Sequence, residues 1–353
     1  MFAGLKRCTY TAHYPRWMVG KPLLYSSSAL ASLGDAMFGY SQGIIAAAQV
    51  QPSFIRRMYG KDMTLEQVQM GQDGVDVFMQ GMVLLSLFIA FHVGKTNAPS
   101  FLNSTSAIVV ACLNITALLA SYCLAYVCDH LGQHTSIRIG RIIYLAASII
   151  QIFIPNLIAL IVGRCIQGLG VGILSVTVPI YQCEISPGHG RGLCFSIEYL
   201  CLNAGYALST WVSYAFFYIP HEISWCGPYI IQACLAITLV IWTFFLPETP
   251  RLLIKNGFQQ EGMLTLADLH TKDDIYDPLV TKPYAGIQAA IILESYIGEV
   301  TWGQLFTQYT RCAIVSITCH CQLFTQSNRI NAILYFLPEN LTQAGFTVSR
   351  SLL

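Results

Sequence analysis

Residues Gly163 to Gly192 read GRCIQGLGVGILSVTVPIYQCEISPGHGRG, and the fold of the chain turns on them. The apolar run from about Leu157 to Tyr181 is long enough to cross a hydrocarbon core of ~30 Å at ~1.5 Å per residue. It carries Arg164 near its start, and Glu184 stands just past its end. Charges so placed are expensive in lipid unless they pair. Gly168 and Gly172 share one helical face, a spacing that lets a second helix approach backbone to backbone. The run Gly168-Leu169-Gly170-Val171-Gly172 loosely matches a dinucleotide-binding fingerprint. That motif needs a preceding strand, a βαβ unit and an acidic residue about 20 positions on, and here it lies inside an apolar helix, which sets that reading aside.

Composition agrees with a membrane chain. Of 353 residues, 54% are hydrophobic and 10% charged, with mean hydropathy +0.54, outside the range of soluble domains. The net charge of +1, with no basic patch interleaved with aromatics, argues against a nucleic-acid partner. The 13 cysteines are scattered through apolar runs, and only Cys319 and Cys321 are close neighbours. A metal site calls for paired CxxC or CxxH spacings, so the cysteines are expected to be small buried apolar residues, with no metal and no cofactor. The polar segment before Leu23 lacks a cleavable apolar core, and the first membrane helix is expected to serve as the insertion signal. No nucleophile constellation points to an enzyme.

The full string, GRxxxGxGxG followed by PxYxxExxPxxxRG with Arg164, Glu184 and Arg191 in place, resembles the fourth helix and following cytosolic loop of the sugar porter family in the major facilitator superfamily. Pro247-Glu248-Thr249-Pro250-Arg251-Leu252-Leu253 closely resembles PESPRWL, which closes the first six-helix half of those transporters. The resemblance implies an all-α polytopic membrane protein. Its expected parts are a cytosolic segment over 1–22, a six-helix half over 23–246, a cytosolic linker with short helices over 247–310, and a seventh helix of an incomplete second half over 311–353. The implied activity is transport of a sugar or polyol by alternating access, in the plasma membrane, with the lipid bilayer as the other partner.

Several motif positions depart from that pattern. The first span, about Leu23 to Val50, contains Phe38-Gly39-Tyr40-Ser41-Gln42-Gly43, where the family reads FGYDxG in many proton symporters and FGYNxG in many uniporters. Ser41 cannot exchange a proton near neutral pH. Asp35 lies six residues earlier, about 600° round the helix and so on another face. The stretch Gly81 to Ser106 has no counterpart in the family pattern and is expected to be a retained intron, with a re-entrant or interfacial segment as the alternative. The second span, about Ala107 to Val127, ends in Asp129-His130-Leu131-Gly132-Gln133-His134, where the family reads D-R-x-G-R-R. Arg138 and Arg141 follow and are expected to lend positive charge to a cytosolic loop ahead of a third span over Ile139 to Ile154.

The fifth span, about Leu193 to Phe217, has Glu198-Tyr199 where relatives often place a sugar-binding glutamine. Cys226 replaces an arginine before the sixth span, about Tyr229 to Phe245. The seventh span, about Cys312 to Leu337, resembles FQQxTGxNxxxYY: Gln326, Asn331 and Tyr335 match, while Thr325 and Arg329 depart.

By resemblance, Gln326, Asn331, Tyr335 and Tyr199 are the substrate-binding candidates. Asp129, Arg164, Glu184, Arg191, Glu248 and Arg251 are the expected cytosolic gate, a charge network under the bundle. Asp35 and Glu198, carboxyl groups inside spans, are candidates for proton or charge coupling, with structural pairing to a neighbouring helix as the alternative. The repeated change of arginine to histidine, glutamine or cysteine suggests a decaying gene copy, so transport is expected to be impaired in a truncated chain. The alternative is a non-transporting fragment or sugar sensor-like relative. A seven-helix receptor fits the span count but not the two charged strings.

Overall fold

A computed structural model describes residues 19–59, 105–153, 157–188, 190–219, 222–271, 274–297, 308–327, 337–338, 341–342 and 344–352. Most of the surplus stretch, 81–104, lies outside the described residues, and so do Asn331, Tyr335 and Arg329. The described elements are α-helices: α1 (Lys21–Ala48), α2 (Pro52–Tyr59), α3 (Thr105–Leu131), α4 (Gln133–Ile152), α5 (Leu157–Ile185), α6 (Arg191–Phe217), α7 (Ile223–Thr243), α8 (Pro250–Lys255), α9 (Gln259–His270), α10 (Pro278–Ile297), α11 (Tyr309–Ser327) and α12 (Val348–Ser351). Within the described residues α4, the Ile158–Ile185 part of α5, and α7 are each long and apolar enough to cross a membrane. Helices α1, α3 and α6, at 28, 27 and 27 residues, reach comparable lengths.

The chain divides into two compact units, one formed by 26–246 with 335–353 and the other by 1–25 with 247–334. The larger unit is built around α5, which packs against α3 on one side and α4 on the other; α4 and α6 both lie against α7. Glycine sets these approaches. A Cβ at Gly168 would stand 2.4 Å from the Leu113 carbonyl oxygen and one at Gly172 would stand 2.2 Å from that of Ala117, so both glycines press on the α3 backbone. Gly170, on the other face, meets α4 at Gly140 and Tyr144. The small-residue spacing read from the sequence is therefore a true helix seam.

The same device joins α1 to α6. A Cβ at Gly39 would lie 1.9 Å from the Leu202 carbonyl oxygen, and one at Gly205 would lie 2.0 Å from that of Ala36. The buried residues of α6 are Gly205, Ser209 and Ser213, one small-residue stripe at helical spacing. An apolar core closes the end where α1, α2, α3, α5 and α7 meet, with Tyr40, Ile44, Phe54, Val109, Leu160 and Trp225 among its members. Arg57 of α2 and Glu222, just before α7, form an exposed ion pair at 3.2 Å. Leu352, past α12, packs with Ala47, Val50, Tyr214 and Phe217.

The smaller unit has its own core of Leu266, Ala267 and Val280 with Met263 and Tyr284 packed on it. Pro250 opens α8 at the first helical position, where its missing N–H costs nothing, and Gly257 ends that turn at φ 87°.

Two expectations change here. The third span does not begin at Ile139. Gly132, at φ 82°, breaks the chain after α3, and α4 starts at Gln133. His134, Arg138 and Arg141 are thus helical. Arg141 is 3% exposed, so it lends no charge to a loop; it is part of the bundle interior. The cysteines differ as well: among the described residues Cys112 is buried, while Cys123, Cys234, Cys319 and Cys321 are exposed. A thiol is apolar enough to sit on an outward face of a membrane helix, so apolar character does not require core placement.

Candidate functional site

The interior of the larger unit carries two polar clusters. The first joins α1, α4, α5 and α7. Gln232 Nε2 donates to the Tyr144 hydroxyl (3.0 Å) and to Ser148 Oγ (3.1 Å), and the Tyr144 hydroxyl donates to the Met37 carbonyl (2.9 Å). Beside them Gln151 Nε2 donates to Gln167 Oε1 (2.9 Å). Arg164 Nη1 donates to the Ser41 carbonyl (3.0 Å). Gln151, Gln167, Gln232 and Ser148 are fully buried. Gln151 Oε1, Gln167 Nε2, Gln232 Oε1 and both Arg164 Nε and Nη2 meet no hydrogen-bond partner. A buried amide atom left unpaired costs about 1–3 kcal/mol, so this cluster holds spare hydrogen-bonding capacity in the middle of an apolar bundle.

The second cluster lies toward the starts of α1, α4 and α6 and the end of α5. Arg141 donates to the carbonyls of Leu30 (2.7 Å) and Leu239 (3.3 Å) and to Thr243 Oγ1 (2.5 Å). His134 Nε2 bonds the Thr243 carbonyl at 3.1 Å. One residue on from the Gly34 contact with Arg141 stands Asp35, 5% exposed. The Glu198 carboxyl and the Arg141 guanidinium both lie within its electrostatic reach. The Gln182 amide, with its oxygen accepting from Ser32 Oγ (2.7 Å), donates to the Cys194 carbonyl (3.1 Å) and Glu198 Oε2 (3.3 Å). A cavity of about 10 Å³ beside Arg141, between Gly34, Met37, Tyr144 and Leu174, has room for the centre of one water.

Within the larger unit, Arg164 stands apart from Glu184. Arg164 and Glu184 sit near opposite ends of α5, and the intervening turns span about 30 Å at 1.5 Å per residue. Arg164 therefore belongs to the first cluster, not to a network with Glu184. Glu184 and Arg191 do share a neighbourhood, since both act electrostatically on Cys183. In the smaller unit Glu248 accepts from the Thr249 N–H at 3.3 Å, and Arg251 pairs with Glu294 of α10. Asp129 lies in the last turn of α3.

The substrate candidates are spread along the chain. Tyr199 is on α6, 63% exposed, and Gln326 is in the last turn of α11. Sequence reasoning missed the buried glutamines at 151, 167, 182 and 232. The signal was available, since an amide in an apolar run is costly and usually has a role.

Residues 28–353 match the family described as "Sugar (and other) transporter". Among curated relatives, the chain is 29% identical over 265 residues to a probable polyol transporter 6 of Arabidopsis thaliana, covering 69% of this chain and 52% of that protein. It is 22% identical over 334 residues to the MFS-type transporter criB of Aspergillus cristatus, covering 95% of this chain and 63% of the relative. The chain thus spans between about half and under two thirds of the length of these relatives. In three dimensions it resembles the xylose transporter XylE from E. coli in a partially occluded inward-open conformation, with TM-score 0.66 and 18% identity, over 93% of this chain and 66% of that one. The two charged strings, the glycine seams, the helical fold and the extent of the family match lead to one assignment: the chain belongs to the sugar transporter family of the major facilitator superfamily.

Proposed function

We propose that this chain carries a sugar or polyol across the plasma membrane by alternating access, at a rate below that of relatives with a full set of arginines after the second span. The observation that carries this reading is the polar interior: Gln151, Gln167, Gln232, Tyr144 and Ser148 are buried together inside the larger unit. Sugar hydroxyls are recognised by amides and hydroxyls held in a dry site, and a membrane protein does not bury unsatisfied amides without a use for them. Glycine seams bring α5 to α3 and α6 to α1 at backbone distance, which suits a six-helix half that moves as one packed body in alternating access.

The direct roles of Gln326, Asn331 and Tyr335 toward sugar hydroxyls rest on the sequence pattern. The exposed ring of Tyr199 supports a stacking role on a sugar face. For the cytosolic latch, the support is the common neighbourhood of Glu184 and Arg191 at the α5–α6 turn. The slower rate rests on the arginine positions of the loop: His134 is spent on the Thr243 carbonyl inside the bundle, and Gln133 has no guanidinium fork to offer.

The test is uptake of a labelled panel of hexoses, pentoses and polyols in cells lacking their own sugar transporters. Saturable uptake of at least one compound, above vector-only cells, is expected. Uptake at background for the whole panel, with the chain present at the cell surface, overturns the proposal in favour of a non-transporting relative.

A further inference from the structure

We propose that the unpartnered edge of the Arg164 guanidinium is the seat for a carboxylate, and that the compound this chain binds is a sugar acid, an aldonate or uronate. The inference rests on the reading that the buried amides serve sugar hydroxyls, and narrows that reading to one substrate class. Arg164 is 2% exposed on α5. Its Nη1 donates to the Ser41 carbonyl of α1 at 3.0 Å, which fixes one side of the group. The other two nitrogens, Nε and Nη2, are buried with no hydrogen-bond partner. Their N–H groups lie parallel along one edge of the guanidinium, the edge that grips both oxygens of a carboxylate as a fork. Among the described residues no carboxylate fills it; the ion pairs there join Arg57 to Glu222 and Arg251 to Glu294. Asp35 stands six residues before Ser41 on α1, about 9 Å along the axis, and Glu184 is near the far end of α5.

The surroundings select among anions. Gln167 follows Arg164 by three positions and so shares its face of α5; its Nε2 is a further unpartnered donor. Gln167 Oε1 accepts from Gln151 Nε2 at 2.9 Å. One turn back on α4, Ser148 and Tyr144 take the two hydrogen bonds of Gln232 Nε2, and the Arg164 charge reaches Tyr144. Gln151 Oε1 and Gln232 Oε1 are left as unpartnered acceptors. Spare donors and acceptors side by side suit hydroxyls, each of which both gives and takes a hydrogen bond. A halide uses neither the paired geometry of the fork nor the acceptors. A phosphate monoester brings a charge of about −1.5 to −2 against one cation, whereas a carboxylate neutralises the guanidinium one for one in a low-dielectric interior. One charged end on a hydroxylated body describes a sugar acid. The fork is enclosed by the bundle in this structure, so a ligand reaches it as α1 and α5 part in the alternating-access cycle.

The experiment is equilibrium binding of tritiated D-galacturonate and D-gluconate to the purified full chain in lipid nanodiscs, with D-galactose, D-sorbitol and sodium chloride as competitors. At least one acid is expected to bind, and its neutral counterpart to compete at least about tenfold more weakly, because it leaves the fork unfilled. Chloride is expected to compete no better than the neutral compounds. Ser41→Asp is expected to weaken acid binding by about tenfold or more, since a tethered carboxylate beside Arg164 occupies the fork. Arg164→Lys is expected to weaken it as much, because an ammonium has no fork. A neutral counterpart that competes as well as the acid overturns the inference and leaves sugar transport standing. Chloride competing as well as the acid overturns it too, since the site then takes any anion. No binding of either acid, or wild-type affinity in Ser41→Asp, also overturns it. The wild-type comparison decides even where Arg164→Lys fails to fold.

Discussion

A single methyl group at Gly172 probes the seam on which α5 sits. In Gly172→Ala the new Cβ would stand 2.2 Å from the Ala117 carbonyl oxygen, with the Ala117 Cα and C both at 2.9 Å. An ordinary carbon–oxygen contact is about 3.3–3.6 Å, so α5 must retreat from α3 by about 1 Å. The obstacle is backbone, which has no rotamer to change. Overpacking of this kind costs up to about 3 kcal/mol, offset by about 1 kcal/mol of helix propensity gained over glycine. The net loss is about 2 kcal/mol, or a fall in Tm of about 4–8 °C for a unit of this size. Gly286→Ala on α10 is the control: nothing lies within 4 Å of its Cβ position, so only the propensity gain of about 1 kcal/mol applies, and stability should rise. The assay is size-exclusion recovery of a fluorescent fusion after a temperature series, in nanodiscs. If Gly172→Ala is as stable as wild type, α3 and α5 do not meet backbone to backbone and the packing around Gly163 to Gly192 is wrong.

Other substitutions separate buried charge from surface charge. Arg141→Met should cost about 3–5 kcal/mol in the same assay, since it strips three hydrogen bonds and leaves Asp35 without its cation; Arg141→Lys should recover only part, as an ammonium lacks the fork that reaches three acceptors. Arg57→Ala and Arg251→Ala should each change stability by less than about 1 kcal/mol, because both ion pairs are solvent-exposed; a loss as large as that of Arg141→Met would refute the surface assignment. His134→Arg, which restores the family residue, should lower stability by about 2 kcal/mol or more. Position 134 is 4% exposed and bonded to a carbonyl, with no space for a larger charged group.

Helix seams and membrane character were legible in the sequence because they are local: glycines at 168 and 172 share a face by periodicity, and hydropathy needs no partner. Arg141 was misplaced because the span was started at the first sustained apolar residue. The true start lies at Gln133, where Gly132 adopts positive φ, and two amphipathic turns look like loop to a hydropathy reading. The separation of Arg164 from Glu184 was legible from helix length alone, about 30 Å, but the family string grouped them by motif and hid it. Asp35 and Glu198 each stood out as carboxyls in a span. Their meeting depends on how α1 and α6 cross, which no local pattern encodes.

The most direct test of the account is sugar flux through the purified chain itself. Reconstituted in liposomes loaded with unlabelled sugar, the chain should drive saturable uptake of the same labelled sugar or polyol, competed by excess unlabelled compound. Uptake equal to that of empty liposomes, from a sample that is monodisperse and helical, would contradict transport by this chain.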